Sequence, residues 1–120
     1  MTMRAKDVLG QSGEQAAAEY LETEGFRILA RNWRCADGEI DIVAVDRQTF
    51  VVCEVKTRSG NRYGTPLESV SRLKRNRLRR LAVRWLAAHG VRFEQVRIDV
   101  LGVARGPAGG FTIEHVRGVG

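Results

Sequence analysis

Residues 38–56 read GEIDIVAVDRQTFVVCEVK. Two apolar runs rich in β-branched residues, 39–45 and 50–56, flank the polar stretch Asp46-Arg47-Gln48-Thr49. Such runs favour strands, and the polar stretch between them reads as a turn, so the segment predicts an antiparallel hairpin. The loop is two residues (Arg47, Gln48) or four (Asp46 to Thr49). Both choices give one register, with Val45 facing Phe50. Carried onward, that register places Asp41 opposite Glu54 and Glu39 opposite Lys56. Side chains alternate along a strand, so these four are expected to share a face with Val43, Val45, Phe50 and Val52.

Directly opposed Cβ atoms lie roughly 4.5–5.5 Å apart, and like charges so placed repel. A sheet does not set two carboxylates together for stability, whereas a divalent cation between them removes the conflict. Hard oxygen ligands on rigid strands suit Mg²⁺ or Mn²⁺. Lys56 lies on the same side and is placed to reach the anionic partner of such an ion. A Lys ammonium stabilises developing charge or orients a water. The plain alternative is that Asp41, Glu54 and Lys56 are solvated polar positions, and a bulge would break the register.

Outward from the hairpin, Ser12 to Gln15 reads as a capping box and Gly25 as a stop, predicting a helix over 13–24. Residues 26–33 alternate as a strand, and Cys35-Ala36-Asp37-Gly38 forms a turn. Residues 59–64 form a loop, and Thr65-Pro66 resembles a helix start. Ser71 starts a further helix that runs to His89 and ends at Gly90, with Leu78, Leu81, Ala82, Trp85 and Leu86 as its apolar stripe. Strands follow at 96–103 and 111–116, the last at an edge. The order α-β-β-β-α-β-β means α/β or α+β with a mixed sheet.

Charge is unevenly placed. The chain has 120 residues and a net charge of +6. Arg72 to Arg92 holds eight basic residues and no acidic one, while the remainder has twelve basic against fourteen acidic. An acid-free basic segment forgoes i,i+4 ion pairs and is the footprint of polyanion binding. Its alternative is a solvated Arg-rich face, in a chain with seventeen arginines and three lysines.

The length fits one domain, with a core over about 10–103 and an edge strand and tail over 104–120. No apolar run approaches the roughly 20 residues of a membrane span. The N-terminal MTMRAKDVLG lacks the apolar core of a secretory signal. Cys35 and Cys53 are far apart and have no CxxC partner, which speaks against a zinc site or a disulfide framework. These features together lead to the expectation of a cytoplasmic protein without membrane association.

Asp41 followed by Glu54-Val55-Lys56 on the next strand resembles the PD-(D/E)xK nuclease signature, with Ile40 where a Pro usually stands. The ordered set Gly13-Glu14, Gly38-Glu39-Ile40-Asp41, Glu54-Val55-Lys56-Thr57-Arg58, Tyr63-Gly64, Lys74 and Arg97-Ile98-Asp99-Val100 resembles the YraN-like family of small bacterial proteins. That family is similar to archaeal Holliday-junction resolvases. The resemblance implies an α/β, restriction-endonuclease-like αβββαβ core, a mixed central sheet flanked by helices. It implies a Mg²⁺- or Mn²⁺-dependent endonuclease acting on DNA, structured or branched forms included. Asp41 and Glu54 match the metal-binding acids, the Val55 carbonyl a further ligand, Lys56 the catalytic lysine, and Glu14 a helix acid reaching the same catalytic and metal site. Glu14 also reads as an acid favoured by the helix dipole.

Glu39 is an acid behind the site or a salt-bridge partner of Lys56. Arg58 and Lys74 are candidate phosphate contacts, and Arg72, Arg75 and Arg79 extend that nucleic-acid face. Tyr63 is a loop aromatic near DNA or a packing residue. Trp33 and Trp85 read as core, Cys53 as buried opposite Glu54, His89 as a helix C-terminal cation and His115 as isolated. A homodimer would offer two sites for two strands, although no residue requires it. The alternatives to a nuclease are a nucleic-acid-binding module with weak or no cleavage, and an interaction protein that never meets nucleic acid.

Overall fold

The computed structural model describes the backbone of residues 5–59 and 70–119 and the side chains of 12–58 and 70–119. The elements are α1 (Ala5–Thr23), β1 (Arg27–Cys35), β2 (Gly38–Asp46), β3 (Thr49–Ser59), α2 (Arg72–His89), β4 (Gln95–Arg105) and β5 (Phe111–Val116). The five strands form one sheet in chain order, β1-β2-β3-β4-β5. Every neighbouring pair is antiparallel except β3 and β4, which run parallel. The sheet is therefore mixed and the protein α/β, with the αβββαβ order that the resemblance implies. Tyr63 and the expected helix start at Thr65-Pro66 lie outside the described residues.

The two helices cover opposite faces. Leu78, Leu81, Ala82 and Trp85 of α2 pack on Val43, Phe50, Val52, Ile98 and Val100. Ala17, Ala18 and Leu21 of α1 pack on Ile42, Ala44, Val51, Cys53 and Leu101. Trp85 is buried and Trp33 is half-buried against the same cluster, so both belong to the core. Helix α2 starts and stops as its sequence reads. The Ser71 hydroxyl accepts the Lys74 N–H, and Gly90 closes the helix in the left-handed region at φ 61°.

Helix α1 departs from expectation, because it begins eight residues before position 13. Ser12-Gly13-Glu14-Gln15 lies inside the helix and does not cap it. Gly13 serves contact, since a Cβ there would fall 2.2 Å from Thr57 Oγ1. The glycine lets α1 sit directly on β3 and so sets the height of Glu14 above the sheet.

Strand β1 also departs from simple alternation. A bulge between Ile28 and Ala30 shifts its register on β2. Phe26 and Ile28 consequently face α1, and Ala30 faces α2.

Candidate active site

The hairpin register agrees with expectation from Asp46↔Thr49 through Ile42↔Cys53. It ends there, one step short of Asp41↔Glu54. The cause lies in β2 itself. Ile42 and Ala44 face α1, and Val43 faces α2, as alternation requires; Ile40 then returns to Val43's side. A strand that changes sides in this way has a kink, and the kink is at Asp41. Across the other ladder the same step is broken. Arg31↔Ile42 and Trp33↔Ile40 are paired, Asn32 and Asp41 are not, and Asn32 has φ 52°. Asn tolerates that left-handed backbone better than most residues.

The kink turns the Asp41 side chain toward the gap between β2 and β3. Its Oδ2 accepts the Val55 N–H at 2.8 Å. An uninterrupted ladder would next join Val55 to Ile40, because hydrogen-bonded pairs recur at every second residue. The carboxylate has replaced that rung. In an extended strand a residue's N–H and C=O point to the same edge, so the Val55 carbonyl faces the same gap.

Glu54 projects to the α2 side, opposite Cys53, which is fully buried on the α1 side as expected. The Glu54 side chain is only 10% exposed, and its Oε1 lies 3.2 Å from Lys74 Nζ and 3.9 Å from Lys56 Nζ. Two ammonium groups thus share one carboxylate. Burial, then the Lys74 contact, holds Lys56 below its ordinary value. Lys74 moves the other way: against its own burial, the Glu54 carboxylate raises it. Burial, then the Glu54 charge, pushes Asp41 up to about 7; Glu14 and Glu39 add to the rise and the Val55 N–H opposes it.

Glu14 and Glu39 stand behind this group. With its amide nitrogen turned toward the surrounding acceptors, Asn32 donates to Glu14 Oε2 at 3.1 Å and to Glu39 Oε1 at 3.3 Å. Glu39 also pairs with Arg34 at 3.3 Å. Among the described residues no three His, Cys, Asp or Glu side chains converge closely enough to ligate one ion. The structure therefore pairs Glu54 with Lys56, and the charges of Glu54, Glu14 and Glu39 all act on Asp41.

Helix α2 distributes the basic residues. Arg72 and Arg79 are exposed, Arg75 is half-buried, and no acidic residue occupies the first turn. Lys74 is on a different side of the helix from Arg72. Lys74 lies four, seven and eleven residues before Leu78, Leu81 and Trp85, which places it on the core-facing stripe. That spacing was the available signal for its meeting with Glu54. Arg58 sits at the end of β3 beside Ala104.

Two residues outside the nuclease-like pattern proved to be organised. His115 is not isolated: its Nε2 meets Asp99 Oδ2 at 2.8 Å and its Nδ1 meets the Tyr20 hydroxyl at 3.0 Å. Asp99, fully buried, also accepts from Arg97 Nε at 2.8 Å and from the Gly118 N–H at 3.1 Å. Against burial, these hydrogen bonds hold Asp99 below its ordinary value. At the end of α2, the His89 ring stacks on Trp85 with its Nδ1 2.8 Å from the Trp85 carbonyl.

A protein of Beutenbergia cavernae described as a UPF0102 protein is 56% identical over 118 residues, covering 98% of this chain and all of that one. A UPF0102 protein of Frankia casuarinae is 53% identical over 116 residues, covering 97% and 98%. In backbone the chain is similar to SfsA of Pyrococcus furiosus in complex with Ca²⁺, at 16% identity and a TM-score of 0.42, over 92% of this chain and 63% of that one. Residues 13–103, from the glycine under α1 to the end of the β4 core, match Uncharacterised protein family UPF0102, and the chain belongs to that family.

Proposed function

We propose that this protein is a metal-dependent endonuclease that hydrolyses DNA phosphodiester bonds. The observation that supports the reading is the parted end of the hairpin, where the Val55 N–H holds the Asp41 carboxylate, Glu54 pairs with Lys56 on the neighbouring strand, and the Glu54 charge is felt at Asp41. The donor set fits Mg²⁺ or Mn²⁺: hard oxygens from two carboxylates, with the Val55 carbonyl facing the same opening. Mg²⁺ is commonly held by one or two carboxylates together with waters and substrate phosphate, so a third acid is not required. The repulsion between Asp41 and Glu54 is what a cation would relieve.

Such an ion would supply Lewis-acid polarisation of a phosphoryl oxygen. The chain's own groups do the rest. The Val55 N–H fixes the orientation of the Asp41 carboxylate. Lys56, held below its ordinary value, is suited to exchange a proton or to meet charge developing on the phosphate. Arg72, Arg75 and Arg79 would hold the flanking backbone without reading sequence. Structured or branched DNA as substrate rests on the family resemblance alone.

Cleavage of duplex, flapped, single-stranded and four-way-junction DNA in Mg²⁺ or Mn²⁺ tests this, with Glu54→Ala and Lys56→Ala as controls. Loss of cutting with retained DNA binding in both variants is expected. Equal cutting by wild type and variants would overturn the assignment. A binding module without cleavage is the second reading. It is favoured by the contacts of Glu54, whose carboxylate already has two ammonium partners. No cutting of any DNA form, with salt-dependent affinity intact, would establish it.

A further inference from the structure

Two of the chain's three lysines meet at Glu54, in a protein that otherwise relies on arginine. The nearer is Lys74, at 3.2 Å against 3.9 Å for Lys56. Its position is not explained by the helix that bears it. A cation in a first turn opposes the helix dipole, and the first turn of α2 contains no acid to compensate. The Lys74 backbone N–H is already satisfied by Ser71 Oγ at 3.1 Å, so the helix start needs nothing from the side chain. The ammonium reaches Glu54 from a separate element, whereas Lys56 lies two residues from Glu54 on the same strand.

Resting on the nuclease reading above, we propose that Lys74 is a displaceable counter-ion. Its ammonium neutralises Glu54 while that carboxylate has no metal. When a divalent cation takes Glu54, the ammonium is released to the phosphate of the substrate backbone. The residue type fits the task. A Lys ammonium is a point charge on a flexible stem, whereas an Arg fork would grip the carboxylate through two parallel hydrogen bonds and yield less readily. The arrangement makes metal and DNA backbone cooperate: a cation on Glu54 frees a phosphate ligand, and by reciprocity phosphate binding favours the cation.

The test is Mn²⁺ binding to the full-length protein, followed by electron paramagnetic resonance without DNA, for wild type, Lys74→Met and Lys74→Arg. Removing a half-exposed competing cation is expected to tighten Mn²⁺ binding by up to roughly fivefold. Lys74→Arg, which keeps the charge, is expected to bind Mn²⁺ no more tightly than wild type. A second measurement follows fluorescence anisotropy of a short labelled duplex with and without Ca²⁺. The gain in DNA affinity caused by Ca²⁺ should be smaller in Lys74→Met than in wild type. Unchanged or weaker Mn²⁺ binding by Lys74→Met, beside normal wild-type binding, overturns the counter-ion alone. A wild type that takes up no Mn²⁺ overturns the metal-dependent function and the counter-ion with it.

Discussion

Asp41 and Val55 are joined by a hydrogen bond that substitutes for a rung of the sheet: the Val55 N–H donates to Asp41 Oδ2 at 2.8 Å. One carboxylate therefore has two tasks, satisfying a backbone donor and presenting charge to the gap. Asp41→Asn keeps an acceptor and removes the charge, while Asp41→Ala removes both. An unsatisfied buried donor costs about 1–3 kcal/mol, so Asp41→Asn should be more stable than Asp41→Ala by about that amount in urea unfolding. Both should lose the stabilisation that Mn²⁺ gives the wild type.

The pH dependence of the metal-free protein follows from the same group. Unfolded, Asp41 titrates near its ordinary 3.8; folded, near 7. Between those values the folded chain binds the additional proton. Its contribution to stability is full below about 4 and is lost as pH rises through about 7. Stability measured without divalent cations should decline across that window in wild type more than in Asp41→Asn. Added Mn²⁺ should raise the melting temperature more at pH 8 than at pH 5, since at low pH a proton competes for the carboxylate.

Gly13→Ala should destabilise despite the better helix propensity of alanine. The new Cβ would meet Thr57 Oγ1 at 2.2 Å. Forcing extra volume into a packed contact typically costs about 1–3 kcal/mol. Thr57→Gly in the same chain should recover part of the loss, and the non-additivity in a double-mutant cycle measures the contact.

Asp99→Asn should be among the most damaging single substitutions away from the gap. It removes the charge that Arg97 and His115 both face at 2.8 Å. Breaking a buried ion pair typically costs about 3–5 kcal/mol. The melting temperature should fall sharply, while Mn²⁺ affinity, measured below the transition, should stay close to wild type.

Arg72→Gln and Arg79→Gln address the basic face. Each lost phosphate contact should lower the slope of log affinity against log salt by about 0.9 on duplex DNA. The loss should be uniform across sequences, as expected for groups that touch backbone and not base edges.

Much of this molecule was legible in residues 38–56. The β2–β3 register, the bounds of α2 and the edge position of β5 follow from alternation, caps and periodicity. Residues misread from local pattern were governed by distant partners. Ser12 and Gly13 look like a helix start because capping is judged from neighbours in sequence, and Thr57 lies far along the chain. Asp41 is not paired with Glu54, because β2 kinks at the step where Asn32 on β1 takes a left-handed backbone. His115 reads as isolated until β5 places it beside Asp99. The basic run around Lys74 reads as a phosphate-binding face, and the spacing from Leu78 and Leu81 carries the further signal that directs this residue toward Glu54.

The hairpin is zipped at its turn and parted at its tips, while each tip stays laced to its outer neighbour, residues 38–40 to β1 and residues 54–59 to β4. Electrostatic discord is thereby confined to a slot between two strands that are each anchored from the far side. Under the proposed function a bound ion would bridge that slot, and its departure would leave the ladders on either side intact.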